Sequence, residues 1–314
     1  MRRLLPAAAA ALALALALGG CGVGAGKPAG GAKVTVTRDF GSSQLGLEEA
    51  TGVPKGETVM RLLTRRFDVQ TRYGGNFVQS IDGLAGEDGT GRRTDWFFYV
   101  NGIESEEGAS AFELSPGDRV WWDHHEWSAA MRVPAVVGSF PEPFKSGYQG
   151  RLRPVRLDCA SDALRECDEV AKRLIKAGVR AVSKAAIGAP SGIEILRVIV
   201  GRWTDVRRDP TVQRIERGPG ETGVFARFDR AGTALELLDE RGKVVRALTG
   251  GAGLVAATRF EAQQPTWVVT GVDAAGVAAA AAAMDESILT DRFAVAIEDG
   301  RSVPLPVRPP QDAP

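Results

Sequence analysis

Residues Asp95 to Trp127 restrict this chain more than any other stretch. They read Asp-Trp-Phe-Phe-Tyr-Val-Asn-Gly from Asp95, then an acidic loop, then Phe112-Glu-Leu-Ser-Pro-Gly-Asp-Arg-Val-Trp-Trp-Asp-His-His-Glu-Trp127. Trp96 to Val100 reads as a strand that is aromatic or apolar on both faces. The Asn101-Gly102 that follows is the strongest short hairpin signal, because both residues tolerate positive φ. Pro116-Gly117-Asp118 supplies a second turn, with Pro presetting φ and Gly accepting a left-handed position. Arg119 to Trp122 is the closing strand. Four of the six tryptophans and both histidines of the chain fall in this stretch. That concentration exceeds the needs of a small core, so some rings are expected at a surface where they bind something.

A chain of 314 residues exceeds one typical domain, and two domains are expected. Hydrophobic content of 44% and charged content of 25% belong to a globular protein. With Arg2 and Arg3 removed in a leader, 39 − 2 = 37 basic residues face 39 acidic ones. No basic excess remains to neutralise phosphates, which argues against nucleic acid as a partner.

Arg2-Arg3 followed by the Ala/Leu run Leu4 to Leu18 has the length of a secretory signal and is too short for a stable membrane span. Leu18-Gly19-Gly20-Cys21 resembles a bacterial lipoprotein signal. The resemblance implies cleavage at Cys21, a thioether-linked lipid there, and a location on the extracytoplasmic face of the cell membrane. Residues 22–32 are Gly/Ala-rich and suit a flexible tether.

From Lys33 to Thr37 apolar and polar residues alternate as in a first strand. Thr58 can cap a helix whose Val59, Leu62, Leu63 and Phe67 share one face. Val69–Thr71 and Asn76–Ile81 read as short strands. Strand, helix, then strands with hairpins is the order of a small sheet crossed by one helix.

Four motifs carry a family resemblance: Thr-Val-Met-Arg-Leu-Leu from Thr58, Phe77-Val-Gln-Ser-Ile-Asp-Gly83, Trp96-Phe-Phe-Tyr-Val-Asn-Gly102 and Leu114-Ser-Pro-Gly-Asp-Arg-Val-Trp121. Together they resemble the transcobalamin C-terminal-like domain, over roughly residues 33–130. The resemblance implies a β-grasp-like fold and, as ligand, a corrinoid or another cofactor-like molecule handed to an envelope transporter.

Residues 131–152, rich in Pro and Gly and without periodicity, read as a linker. A second α+β domain with a mainly antiparallel sheet is expected over 153–303. Its opening strand puts Val155, Leu157 and Cys159 on one face. Ser161 can cap a helix to about Lys176, with Leu164, Cys167, Ala171, Leu174 and Ile175 inward. Strands are expected near 193–200, 224–228, 234–238, 244–248, 254–260, 267–272 and 293–297. Asp239-Glu-Arg-Gly242 is a hairpin turn and Asp273 caps an Ala-rich helix. From Pro304 the chain reads as a loose tail.

Cys159 and Cys167 would stand roughly 12 Å apart within one straight helix, beyond disulfide reach. With Cys159 on the strand and Cys167 on the helix they can meet, and export favours the bond. Asp123-His124-His125-Glu126 offers metal-ligand chemistry. Adjacent strand residues point to opposite faces, however, so His124 and His125 do not share an ion, and no metal site is assigned. Gly188-Ala-Pro-Ser191-Gly has the wrong spacing for a nucleophile elbow, and no catalytic constellation stands out. The aromatic group admits two readings, packing against a covering layer or a binding surface. The second places Tyr99, Trp121, Trp122, Trp127 and His124 around a ligand. The expectation is a lipid-anchored, non-enzymatic binding module without a fixed cofactor, with a cobalamin-like ligand admitted. The alternatives are an envelope protein-interaction lipoprotein and, more remotely, a hydrolase using His124 or His125 with a metal.

Overall fold

The computed structural model describes residues 30–75, 77–89 and 91–308. Cys21, with its leader and most of the tether, lies outside the described residues, as does the tail beyond 308.

The N-terminal half contains β1 (Ala32–Arg38), β2 (Ser43–Ala50), α1 (Val59–Leu63), β3 (Val69–Arg72), β4 (Phe77–Ile81), β5 (Leu84–Ala85), β6 (Glu87–Asp88), β7 (Arg93–Val100), β8 (Ile103–Glu104) and β9 (Arg119–Glu126). Thr58 caps α1 by accepting a hydrogen bond from Arg61 N at 3.2 Å, and Val59, Leu62 and Leu63 turn inward. The helix ends sooner than its apolar spacing predicts, although Phe67 beyond it is still buried.

The main sheet runs β2-β1-β9-β7-β6. β1 is parallel to β9, β9 is antiparallel to β7, and α1 packs with one face. This is a β-grasp arrangement, with the β3-β4-β5 meander added. Its two turns are bonded to each other. Asn101, at φ 54°, donates from Nδ2 to Asp118 Oδ1 at 2.7 Å and accepts from Arg119 N at 2.8 Å.

The C-terminal half contains β10 (Val155–Cys159), α2 (Leu164–Lys176), β11 (Val182–Ala186), β12 (Leu196–Arg202), the short helices α3 (Trp203–Val206), α4 (Pro210–Gln213) and α5 (Pro219–Thr222), then β13 (Ala226–Phe228), β14 (Leu235–Leu238), β15 (Val244–Leu248), β16 (Gly253–Thr258), β17 (Thr266–Gly271), α6 (Ala274–Ala282), α7 (Glu286–Leu289), β18 (Ala294–Glu298) and β19 (Arg301–Leu305). Strands β13 to β15 form a small antiparallel sheet. The others form a sheet of order β11-β10-β12-β17-β16-β18-β19, parallel through β17 and antiparallel beyond. Among the described residues antiparallel ladders predominate and helices are few, as the α+β class requires.

Three expectations are corrected. Residues 131–152, expected as a linker, are in large part packed chain: Ala135, Val137, Phe140 and Phe144 are buried in the core of the C-terminal half, and Val133 and Val136 in the core that the two halves share. Helix α2 begins at Leu164 behind Ala163, with no side-chain cap from Ser161. Val170 takes the inward place expected of Leu164 and Ile175, each 57% exposed. Pro304 belongs to an edge strand rather than to a loose tail, and Leu305 beside it is buried. An edge tolerates Pro, because a missing N–H on the open side leaves no ladder bond unmade.

Candidate functional site between the two halves

One face of the first sheet is covered by the second half. Phe40, Tyr99, Trp121 and His125 enter a core shared with Phe225, Leu254, Ala256, Phe293 and Ala296. Phe293 is the meeting point, its ring centroid lying 4.9 Å from Phe40, 5.7 Å from Tyr99 and 5.1 Å from both Trp121 and His125. Edge-to-face packing of this kind adds to the gain from burying apolar area.

A carboxylate organises the polar side of this contact. Asp123 accepts from Thr37 Oγ1, from Phe40 N at 3.0 Å and Gly41 N at 2.8 Å, and from His125 Nδ1 at 2.8 Å. Trp121 Nε1 donates to Thr37 Oγ1 at 2.7 Å, extending the chain of bonds. The turn after β1 runs through Asp39, Phe40 and Gly41, all at positive φ. Two backbone donors held by Asp123 stabilise that conformation, which only Gly adopts without cost.

The expected ligand set is placed differently from the sequence reading. Tyr99, Trp121, Trp122 and His124 are buried. Trp121 and Tyr99 face the second half. Trp122 faces the first core and stacks on Phe98 at 4.8 Å. His124 faces that same side, its Nε2 3.1 Å from the Ala85 carbonyl. Trp127 is half-buried beneath the guanidinium of Arg93, 5.2 Å from the ring centroid. His124 and His125 thus occupy opposite faces, and among the described residues no three His, Cys, Asp or Glu side chains gather as metal ligands. Burial lifts the Tyr99 phenol well above its usual range, with the charges of Glu104 and Asp123 adding to the effect. Among the described residues the Tyr99 hydroxyl and Trp122 Nε1 have no hydrogen-bond partner. Cys159 and Cys167 are joined by a disulfide, Cα to Cα 6.0 Å.

A concavity lies at the margin of this contact. A cleft of about 660 Å³ is lined by Asp39, Phe40 and Ser42 of the turn, Glu240 before β15, Val245 and Arg246 of β15, Arg292, and Val303, Pro304, Pro306, Val307 and Arg308 around β19. No sequence signal singles it out, because its wall comes from four segments that span most of the chain. Phe40 joins cleft to core: it lines the cavity and packs on His125 at 4.6 Å. Most cations near the rim are neutralised. Arg246 pairs with Glu298 at 2.8 Å, Arg92 with Asp39 at 3.2 Å, and Arg308 with Asp39 at 3.8 Å. Arg292 is the exception: among the described residues it has no carboxylate within 4 Å, its guanidinium reaches the Gly41 carbonyl at 3.5 Å, and its charge acts on the neighbouring Asp291.

Residues 56–126 match the model of a domain of unknown function, DUF4430. The match runs from just before α1 to the end of β9 and omits β1 and β2. No curated protein matches the chain. Among solved structures, one described as "a putative metal binding protein from Ruminococcus gnavus" aligns with 31% of this chain and 97% of its own, at 17% identity and a TM-score of 0.26. A likeness that slight carries no argument. The N-terminal half therefore contains an uncharacterised domain, and the match is not to a transcobalamin-like domain specifically.

Proposed function

We propose that this protein is a lipid-anchored, extracytoplasmic, non-enzymatic binding protein whose ligand enters the cleft between the 39–42 turn, β15 and β19. The cleft itself carries the reading: a concavity between two packed units, largely apolar with a few charged groups, is where small molecules bind. The Leu18-Gly19-Gly20-Cys21 motif supports the anchor. The Cys159–Cys167 disulfide suits an oxidising compartment. Among the described residues no helix is long and apolar enough to cross a membrane.

A corrinoid stacked on Trp121, Trp122 or Tyr99 is not part of this proposal, since protein already covers those rings. A corrinoid or another cofactor-like molecule in the cleft remains inside it. Trp121 lies directly beneath the turn, where a Cβ on Gly41 would come within 2.9 Å of its ring. Its emission should report occupancy. Titrating the chain from Gly22 onward with cobalamin and other tetrapyrroles, absorption corrected, should give saturable quenching for a ligand, absent when Val245→Trp fills the cleft. Quenching unchanged by Val245→Trp would remove the cleft from the proposal. Metabolic palmitate labelling that is lost in Cys21→Ser tests the anchor.

A second reading, an envelope protein that binds another protein, draws on β2. Leu45 and Leu47 are 45% and 37% exposed on this sheet edge, where a partner strand can pair.

A further inference from the structure

We infer that the cleft selects an anionic amphiphile, a small molecule with one carboxylate, sulfonate or phosphate on an apolar body, and that Arg292 is the residue that recognises its charge. The inference rests on the cleft being the binding site and adds the class of ligand. Two observations carry it. The lining combines Phe40, Val245, Val303 and Val307 with the guanidinium groups of Arg246, Arg292 and Arg308 and with the carboxylates of Asp39 and Glu240, both already paired with arginines, so an occupant needs an apolar part. Among the guanidinium groups in that lining, those of Arg246 and Arg308 have carboxylate partners, whereas Arg292 has no carboxylate within 4 Å among the described residues, although its charge acts on the neighbouring Asp291.

A half-buried guanidinium presents a planar fork of donors, and one long bond to a backbone carbonyl leaves most of them free. In a partly desolvated cleft such a cation is stabilised by a bidentate anion more than by water. Its carbonyl contact also fixes where that anion sits. Gly41 belongs to the turn that Asp123 holds, so Arg292 is aimed at the cleft by the same carboxylate that organises the contact between the two halves.

The test uses the chain from Gly22 to Pro314 with two fluorescent probes of like shape, anilinonaphthalene sulfonate and its uncharged parent phenylnaphthylamine. Arg292→Met should weaken the sulfonate about tenfold or more, the size of a charge-assisted contact, and change the neutral probe less than about twofold. Arg246→Met, which removes a cation already paired, should change neither by more than about twofold. Equal losses for both probes, or equal losses from Arg246→Met and Arg292→Met, overturn the anion assignment while leaving the cleft as a site. Binding of both probes undiminished in Val245→Trp overturns the cleft itself. Competition separates two sources of the same chemistry. Displacement of the sulfonate by soluble decanoate supports a free acid, displacement only by phosphatidylglycerol vesicles supports a lipid, and displacement by neither counts against the inference.

Discussion

Asp123 and His125 sit two residues apart on β9, face the same side, and are joined by a 2.8 Å hydrogen bond between Oδ1 and Nδ1. Both are sealed between the two halves of the protein. The same carboxylate holds the backbone of Phe40 and Gly41, so a pair that reads in sequence as metal-ligand chemistry serves to fix a turn.

Removing that acceptor should be expensive. Asp123→Ala leaves the backbone N–H groups of Phe40 and Gly41 without their partner and the Thr37 hydroxyl with only the more distant Trp122 carbonyl, at ~1–3 kcal/mol for each group left buried. Urea unfolding should show a total loss of about 3 kcal/mol or more. Asp123→Asn, which keeps one acceptor oxygen, should lose less. Equal midpoints for wild type and Asp123→Ala would falsify the role given to this carboxylate.

Phe293→Ala empties the meeting point of four rings. A buried Phe truncated to Ala costs ~3–5 kcal/mol, and here the loss falls on the contact between halves. Calorimetry should show one transition for wild type and two for the variant, as the halves lose their coupling. A single transition displaced as a whole would mean that the halves remain coupled through residues 131–150 alone.

The Cys159–Cys167 bond closes a loop of eight residues. Chain-entropy arguments assign such a loop about 2.5 kcal/mol. The double Cys→Ser variant should unfold at correspondingly lower denaturant with an unchanged slope. Unreduced wild-type protein from Gly22 onward should titrate no free thiol; two thiols would contradict the bond.

Burial drives His124 below the ordinary imidazole pKa, against the opposing effects of the Ala85 carbonyl and Asp123. The unfolded chain therefore takes up the proton first. His124 contributes its full stability above the unfolded value and loses it as pH falls through about 6.5. Asp95, raised by burial, acts in the opposite sense and favours the folded state when protonated. His124→Gln can keep a donor to Ala85. It should show a smaller drop in thermal midpoint than wild type between about pH 7 and about pH 5.5. Identical drops would assign the acid limb elsewhere.

What the sequence made legible were local instructions. Asn101-Gly102, Pro116-Gly117, Asp239-Glu-Arg-Gly242 and the caps at Thr58 and Asp273 all stand where turn and cap chemistry puts them. The pairing of Cys159 with Cys167 followed from a strand face meeting a helix face. Strands β2, β11 and β19 were missed, each for a physical reason. Ser43 to Ala50 carries few apolar residues because one edge and much of one face are open. Val182 to Ala186 is small and polar at the far edge of its sheet. Arg301 to Leu305 contains a proline. Residues 131–150 misled for the opposite reason: Pro and Gly usually mark exposed chain, yet here they let an irregular segment thread between two cores. For the rings the sequence left two readings open, a covering layer or a binding surface, because alternation says which side a residue faces and nothing of what covers that side. Phe293, the residue that covers them, lies 166 positions beyond Trp127 (293 − 127).

Strand β1 has a practical bearing on the family match. It is the parallel neighbour of β9 in the middle of the first sheet, yet it precedes the matched span of 56–126. A fragment cut at those limits would present β9 with a bare flank and Asp123 with no turn to hold. The unit that completes this sheet is larger than the span by which its domain is recognised.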